Sequence, residues 1–153
     1  MKKVIFNCAN NILLFTLFGL AFMFPFSTVR QMTDGVDVSL TAFPIIFIVY
    51  LLIYPFLYFF IRKKFHWEKK DNSELVFADE REKEIVSQAT TTTYKVLIGG
   101  LISAVAIIAV VRFFALFIHR DVSIYKVSVL SITLLLILAM ITYCMKWCSE
   151  YRK

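Results

Sequence analysis

Four long runs of apolar residues, each closed by a short polar connection, set the pattern of this chain. They cover about residues 4–26, 40–61, 96–118 and 124–145. Each run is long enough to cross about 30 Å of hydrocarbon at 1.5 Å of rise per residue. A helix lying against water keeps one polar face, and these runs keep none. The pattern predicts an all-α, integral-membrane four-helix bundle forming a single domain, residues 1–153. The longest polar connection, 62–95, then joins the second span to the third.

The second half of that connection, from Asp79 to Tyr94, is patterned as a helix in its own right. Asp79 is placed to cap it, with Glu82 three residues on, and Glu80, Glu82 and Glu84 complement the positive end of the helix dipole. Ile85, Ala89 and Thr92 or Thr93 recur at helical spacing. No Gly or Pro interrupts the chain before Gly99, so the segment is expected to run unbroken into the third span. The connection 27–39 reads instead as a short loop, with Asp34-Gly35 as its turn.

Composition agrees with the apolar runs: 59% of residues are hydrophobic and the mean hydropathy is +0.73. Lys2 and Lys3 before the first run resemble the start of a signal peptide. The run is long, Phe-rich and without a small-residue exit site, so a retained first span is the expectation. Charge then orients the chain. With both termini cytoplasmic, thirteen of the 17 Lys and Arg residues lie inside, and only Arg30, Arg112, Arg120 and Lys126 lie outside. The net charge of +6 is accounted for by topology and gives no argument for a nucleic-acid partner. The basic stretch from Arg62 to Lys70, with Phe65 and Trp67 inside it, suits anionic lipid headgroups. Cys8, Cys144 and Cys148 fall near or beyond the cytoplasmic helix ends, where thiols stay reduced.

Several side chains within the spans bear on packing or ligand binding. Asn7 and Asn11 stand one turn apart, and Ser128, Ser131, Thr133 and Thr142 line the last span; each can bond to a neighbouring helix. Tyr50, Tyr54 and Tyr58 recur every fourth residue and form a hydroxyl stripe. They either line a polar groove or bond to adjacent helices. Gly99 with Ser103, and Gly100 with Ala104, are small pairs one turn apart that admit a close neighbour, within the chain or in a homo-oligomer. Arg112 is near enough to the outer end for its stem to reach the headgroups.

The chemistry of an enzyme is not written in these residues. His66 and His119 are expected on opposite membrane faces, and the chain contains no HExxH, GxSxG or phosphate-cradling glycine loop. Cys144 and Cys148 are a poor metal site without His or further Cys, so no metal or cofactor is expected. Carboxylates are absent from all four spans, which argues against a transporter coupled through intramembrane acids.

Asp79-Glu80-Arg81, followed by Ile85, Ala89 and Thr93-Tyr94 ahead of a span, resembles small membrane proteins of low-GC Gram-positive bacteria that carry a cytoplasmic D-E-R helix. The likeness covers about sixteen residues and the hydropathy layout. It implies a bacterial cytoplasmic membrane and a role as accessory, immunity or regulatory partner, and it supplies no reaction. The leading expectation is a non-catalytic protein that docks a partner, with Asp79, Glu80 and Arg81 as polar contacts and Ile85 as apolar anchor. A small transport or lipid-handling protein built on the tyrosine stripe is the second reading. An antimicrobial-peptide immunity protein is the third.

Overall fold

A computed structural model of the chain describes residues 2–32, 35–64, 80–117 and 123–152. Its elements are α1 (Lys2–Met23), β1 (Phe26–Met32), β2 (Gly35–Leu40), α2 (Ala42–Lys64), α3 (Glu80–Phe117) and α4 (Ile124–Tyr151). All four helices are long and apolar enough to cross a membrane. Together they form the all-α four-helix architecture that the apolar runs predict.

Two of these elements depart from ordinary span geometry. α3 is one unbroken helix of 38 residues, roughly 57 Å long at the α-helical rise and nearly twice what a bilayer needs. Its first turn carries Glu80 and Glu82 at the positive dipole end; Asp79, the expected cap, lies outside the described residues. α2 contains Pro44 in its first turn, where a missing amide costs no bond, and continues as helix through Pro55.

Between α1 and α2 the expected loop is an antiparallel hairpin. Met32 pairs with Gly35 and Val29 with Val38, with an irregularity between Phe26 and Thr28. Thr28, Val29, Val36 and Val38 supply the β-branched residues that favour a pleated strand over irregular chain. Asp34 lies outside the described residues, whereas Gly35 opens β2. The hairpin's base is tied to the helix ends. The Thr41 amide donates to the Pro25 carbonyl at 3.2 Å, and the Thr41 hydroxyl donates to the Phe24 carbonyl.

The helices pack in a row, α2–α1–α4–α3, with the α3–α4 seam the most extensive and α2 resting chiefly on α1. Small residues make the seams. Ala21, Ala104, Ala115 and Ala139 are buried, as are Thr133 and Leu135 of α4. Two glycines mark close approach: at Gly19 an added Cβ would stand 2.4 Å from Thr133 Cγ2. At Gly100 it would meet Leu135 Cδ1 at 2.0 Å. Outward faces are strongly apolar, with Phe56 78% and Phe60 73% exposed, a surface suited to hydrocarbon rather than water. Near the hairpin, the Tyr125 hydroxyl donates to the Phe22 carbonyl at 2.8 Å, joining the start of α4 to the end of α1.

Candidate functional site

The first turns of α3 rest on a packed base beside the end of α4. Ile85, Val86 and Ala89 turn inward and are buried with Trp147 of α4, and Val4, Tyr143 and Cys148 close around them. Spacing explains the choice: positions 85, 89 and one turn beyond repeat at 3.6 residues, and the α4 side supplies the large ring. Trp147 stacks in turn on Tyr151, ring centroids 4.9 Å apart. This cluster lies at the end of the bundle that carries the chain termini.

Ile85 therefore cannot be the exposed anchor that its place after the D-E-R turn suggests. It is only 5% exposed, because burying its side chain against Trp147 removes more apolar surface than a water-facing position would allow. Glu80 and Arg81 do remain on the outside, as the sequence reading requires. Beside them Arg81, Glu84, Gln88 and Glu150 rim a polar cleft of about 390 Å³, with Ile85 at its floor. Its walls are braced. Lys146 Nζ stands 2.5 Å from Glu150 Oε1, and Gln88 Nε2 donates to Glu84 Oε1 at 3.4 Å. One cation, Arg81, and two carboxylates, Glu84 and Glu150, stand on this rim, so it offers both signs of charge to a partner.

The tyrosine stripe is a ladder. Tyr50 and Tyr54 stack at 5.9 Å, and Tyr54 and Tyr58 follow at 6.0 Å. The Tyr50 hydroxyl donates to Asn10 Oδ1 at 2.5 Å, so this member joins α2 to α1 and does not face an open groove. Asn10, between the two asparagines singled out from sequence, is thus the amide that meets α2.

The small-residue pairs separate in space. Gly100 and Ala104 face α4, whereas Gly99 has nothing within 4 Å of a built Cβ and Ser103 is exposed, its hydroxyl donating to the Gly100 carbonyl. Above Gly100 and Ala104 runs an open apolar groove of about 450 Å³, walled by Leu135, Leu138 and Ile141 of α4. Arg112 is exposed near the far end of α3. Cys8, Cys144 and Cys148 are free thiols, and among the described residues no three His, Cys, Asp or Glu gather into a metal site. His66, His119 and most of the basic stretch ending at Lys70 lie outside the described residues.

Three contributors escape the sequence reading. Trp147 looks like an interface residue and is a core one; its signal is the apolar spacing to Tyr143 one turn back. Gly19 is a lone glycine in an apolar run, without a small partner at i+4 to mark it. Glu150 is visible only once α3 and α4 are antiparallel neighbours. Comparison with known protein families, with curated proteins and with solved structures finds no match for this chain.

Proposed function

We propose that this is a non-catalytic accessory or regulatory membrane protein that docks a partner through the amino-terminal turns of α3. One observation carries the reading. Glu80 and Arg81 stand exposed on a helix whose next turn is locked by Ile85, Val86 and Ala89 against Trp147, beside the cleft formed with Glu150. A polar surface held rigid before binding loses little conformational entropy on docking. The D-E-R resemblance supports the same role and a bacterial cytoplasmic membrane, with anionic lipid against the basic stretch from Arg62 to Lys70.

Crosslinking pull-down from native membranes tests it. The Glu80→Ala/Arg81→Ala double variant should lose the partner that the wild type recovers, while inserting normally. Equal recovery from both would overturn the reading.

In this proposal both termini are cytoplasmic, following the distribution of Lys and Arg. Single cysteines placed at Ser39 and Lys63 in a cysteine-free background distinguish the two orientations. A membrane-impermeant maleimide applied to intact cells should label the Ser39→Cys variant and spare Lys63→Cys. The reverse pattern would invert the topology and place the α3 platform outside.

A further inference from the structure

The contacts between α1 and α4 fix their register, and two cysteines fall opposite each other on it. Phe22 meets Tyr125, Gly19 meets Thr133, and Val4 packs on the cluster around Trp147. The helices therefore run antiparallel, and each step back along α1 is matched by a step forward along α4. Eleven steps from Gly19 reach Cys8, and eleven from Thr133 reach Cys144. Eleven residues make three helical turns to within about 20°, so both cysteines keep the faces that Gly19 and Thr133 turn to the seam. Burial agrees: Cys8 is 2% exposed, between its two neighbours, and Cys144 is half-buried.

Cys148 stands one turn beyond Cys144, and their sulfurs adjoin. All three cysteines are thiols, and no three metal-binding groups come together among the described residues. A disulfide asks for less, two Cβ atoms about 3.8 Å apart. Within α4 the Cβ atoms of residues one turn apart are about 5–6 Å from each other, so joining Cys144 to Cys148 would bend the helix. Across the seam no such limit holds. A Cβ built on Gly19 would stand 3.0 Å from that of Thr133, so α1 and α4 approach within disulfide reach three turns away.

We infer that Cys8 and Cys144 form a thiol–disulfide exchange site, which takes an oxidant of the disulfide class and closes into a covalent bond between α1 and α4. Cys144 is the sulfur that a reagent can reach. Its thiol gives up a proton and attacks one sulfur of the oxidant, whose S–S bond breaks to release the first half as a thiol. Cys8, shielded from the reagent, then loses its proton and attacks the Cys144 sulfur, expelling the second half as a thiol. The two cysteines lose two electrons and two protons, and the oxidant gains them as two thiols. The bond ties together positions 136 residues apart in the chain, one turn from Val4 and the packed base of α3. The inference concerns the seam and does not depend on the docking reading above.

The full chain in mild detergent, treated with glutathione disulfide, tests it. Remaining thiols are alkylated, and linked peptides are mapped by mass spectrometry without reduction. The wild type should yield a Cys8–Cys144 linked peptide within one chain and leave Cys148 alkylated. Cys148→Ser should retain that link, whereas Cys8→Ser should stop at a glutathione adduct on Cys144. Unfolding the wild type in SDS before oxidation should abolish the link, because the fold and not the sequence brings the sulfurs together. Three alkylated thiols, a Cys144–Cys148 link, a link between two chains, loss of the link in Cys148→Ser, or an equal yield from the SDS-unfolded chain would each overturn the inference. The wild-type map decides by itself, whatever a variant does to folding.

Discussion

Replacing Trp147 with alanine will cost about 3–5 kcal/mol, the range for emptying a buried aromatic site. The loss will fall on one place. The ring is 3% exposed and is the α4 partner of Ile85, Val86 and Ala89, so its removal opens a cavity beneath the first turns of α3. The remaining members are mostly small or aliphatic, and they cannot collapse onto the gap without moving two helices. Amide hydrogen exchange in lipid nanodiscs should show residues 80–89 losing protection while the apolar length of α3 keeps it. Unchanged protection over 80–89 would mean that the first turns of α3 are stable without their base. Partner recovery should fall with protection, even though Trp147 touches neither Glu80 nor Arg81 in the apolar cluster.

Gly19→Ala is the second large effect, destabilising by about 1–3 kcal/mol through overpacking. The new Cβ would lie 2.4 Å from Thr133 Cγ2, 2.6 Å from its hydroxyl and 3.0 Å from its Cβ. Thr133 cannot turn aside freely. It is β-branched, and its hydroxyl donates to the Val129 carbonyl at 2.7 Å. α1 and α4 must separate instead, loosening a whole seam. Gly100→Ala should be milder although its shortest distance is 2.0 Å, because the clash falls on the tip of Leu135, which can rotate away. Gly99→Ala should be neutral, since nothing stands within 4 Å. Unfolding of the three variants by SDS titration from mild detergent orders them Gly19, Gly100, Gly99. A Gly99 variant as unstable as the Gly19 variant would contradict this account of the seams.

The helices were legible because each apolar run is long and unbroken enough for a helix of membrane-crossing length. The continuity of α3 was legible because no Gly or Pro lies between Glu80 and Gly99. What periodicity could not supply is the side toward which a face turns. Ile85 and Ala89 mark an apolar face equally well whether it meets α4 or a foreign surface, and only the arrival of Trp147 decides. Gly99–Ser103 and Gly100–Ala104 pose the same ambiguity one residue apart. The sequence allows both as seams, and the neighbour picks one. The hairpin was missed because its β-branched residues are few and sit around a strong turn signal, a pattern shared with short polar loops. At the proposed docking surface Glu80 and Arg81 could be named from charge and capping alone, but Glu150 could not, because seventy residues separate it from Glu80 in the chain.

The row α2–α1–α4–α3 also sets the order in which the molecule can be completed. α1 and α2 can pair as soon as both are inserted, and α3 and α4 form a second antiparallel pair, each joined by chain-adjacent contacts. The seam between the pairs links α1 to α4, far apart in the chain, with Gly19 waiting for Thr133. Until α4 enters the bilayer, the amino-terminal half carries a narrow, glycine-notched face with no partner from its own chain. Assembly is therefore two-stage, insertion of helices followed by their association, with its slowest closure at the α1–α4 seam. A nascent chain stopped before residue 124 would present that notch to the membrane's other proteins and to quality control.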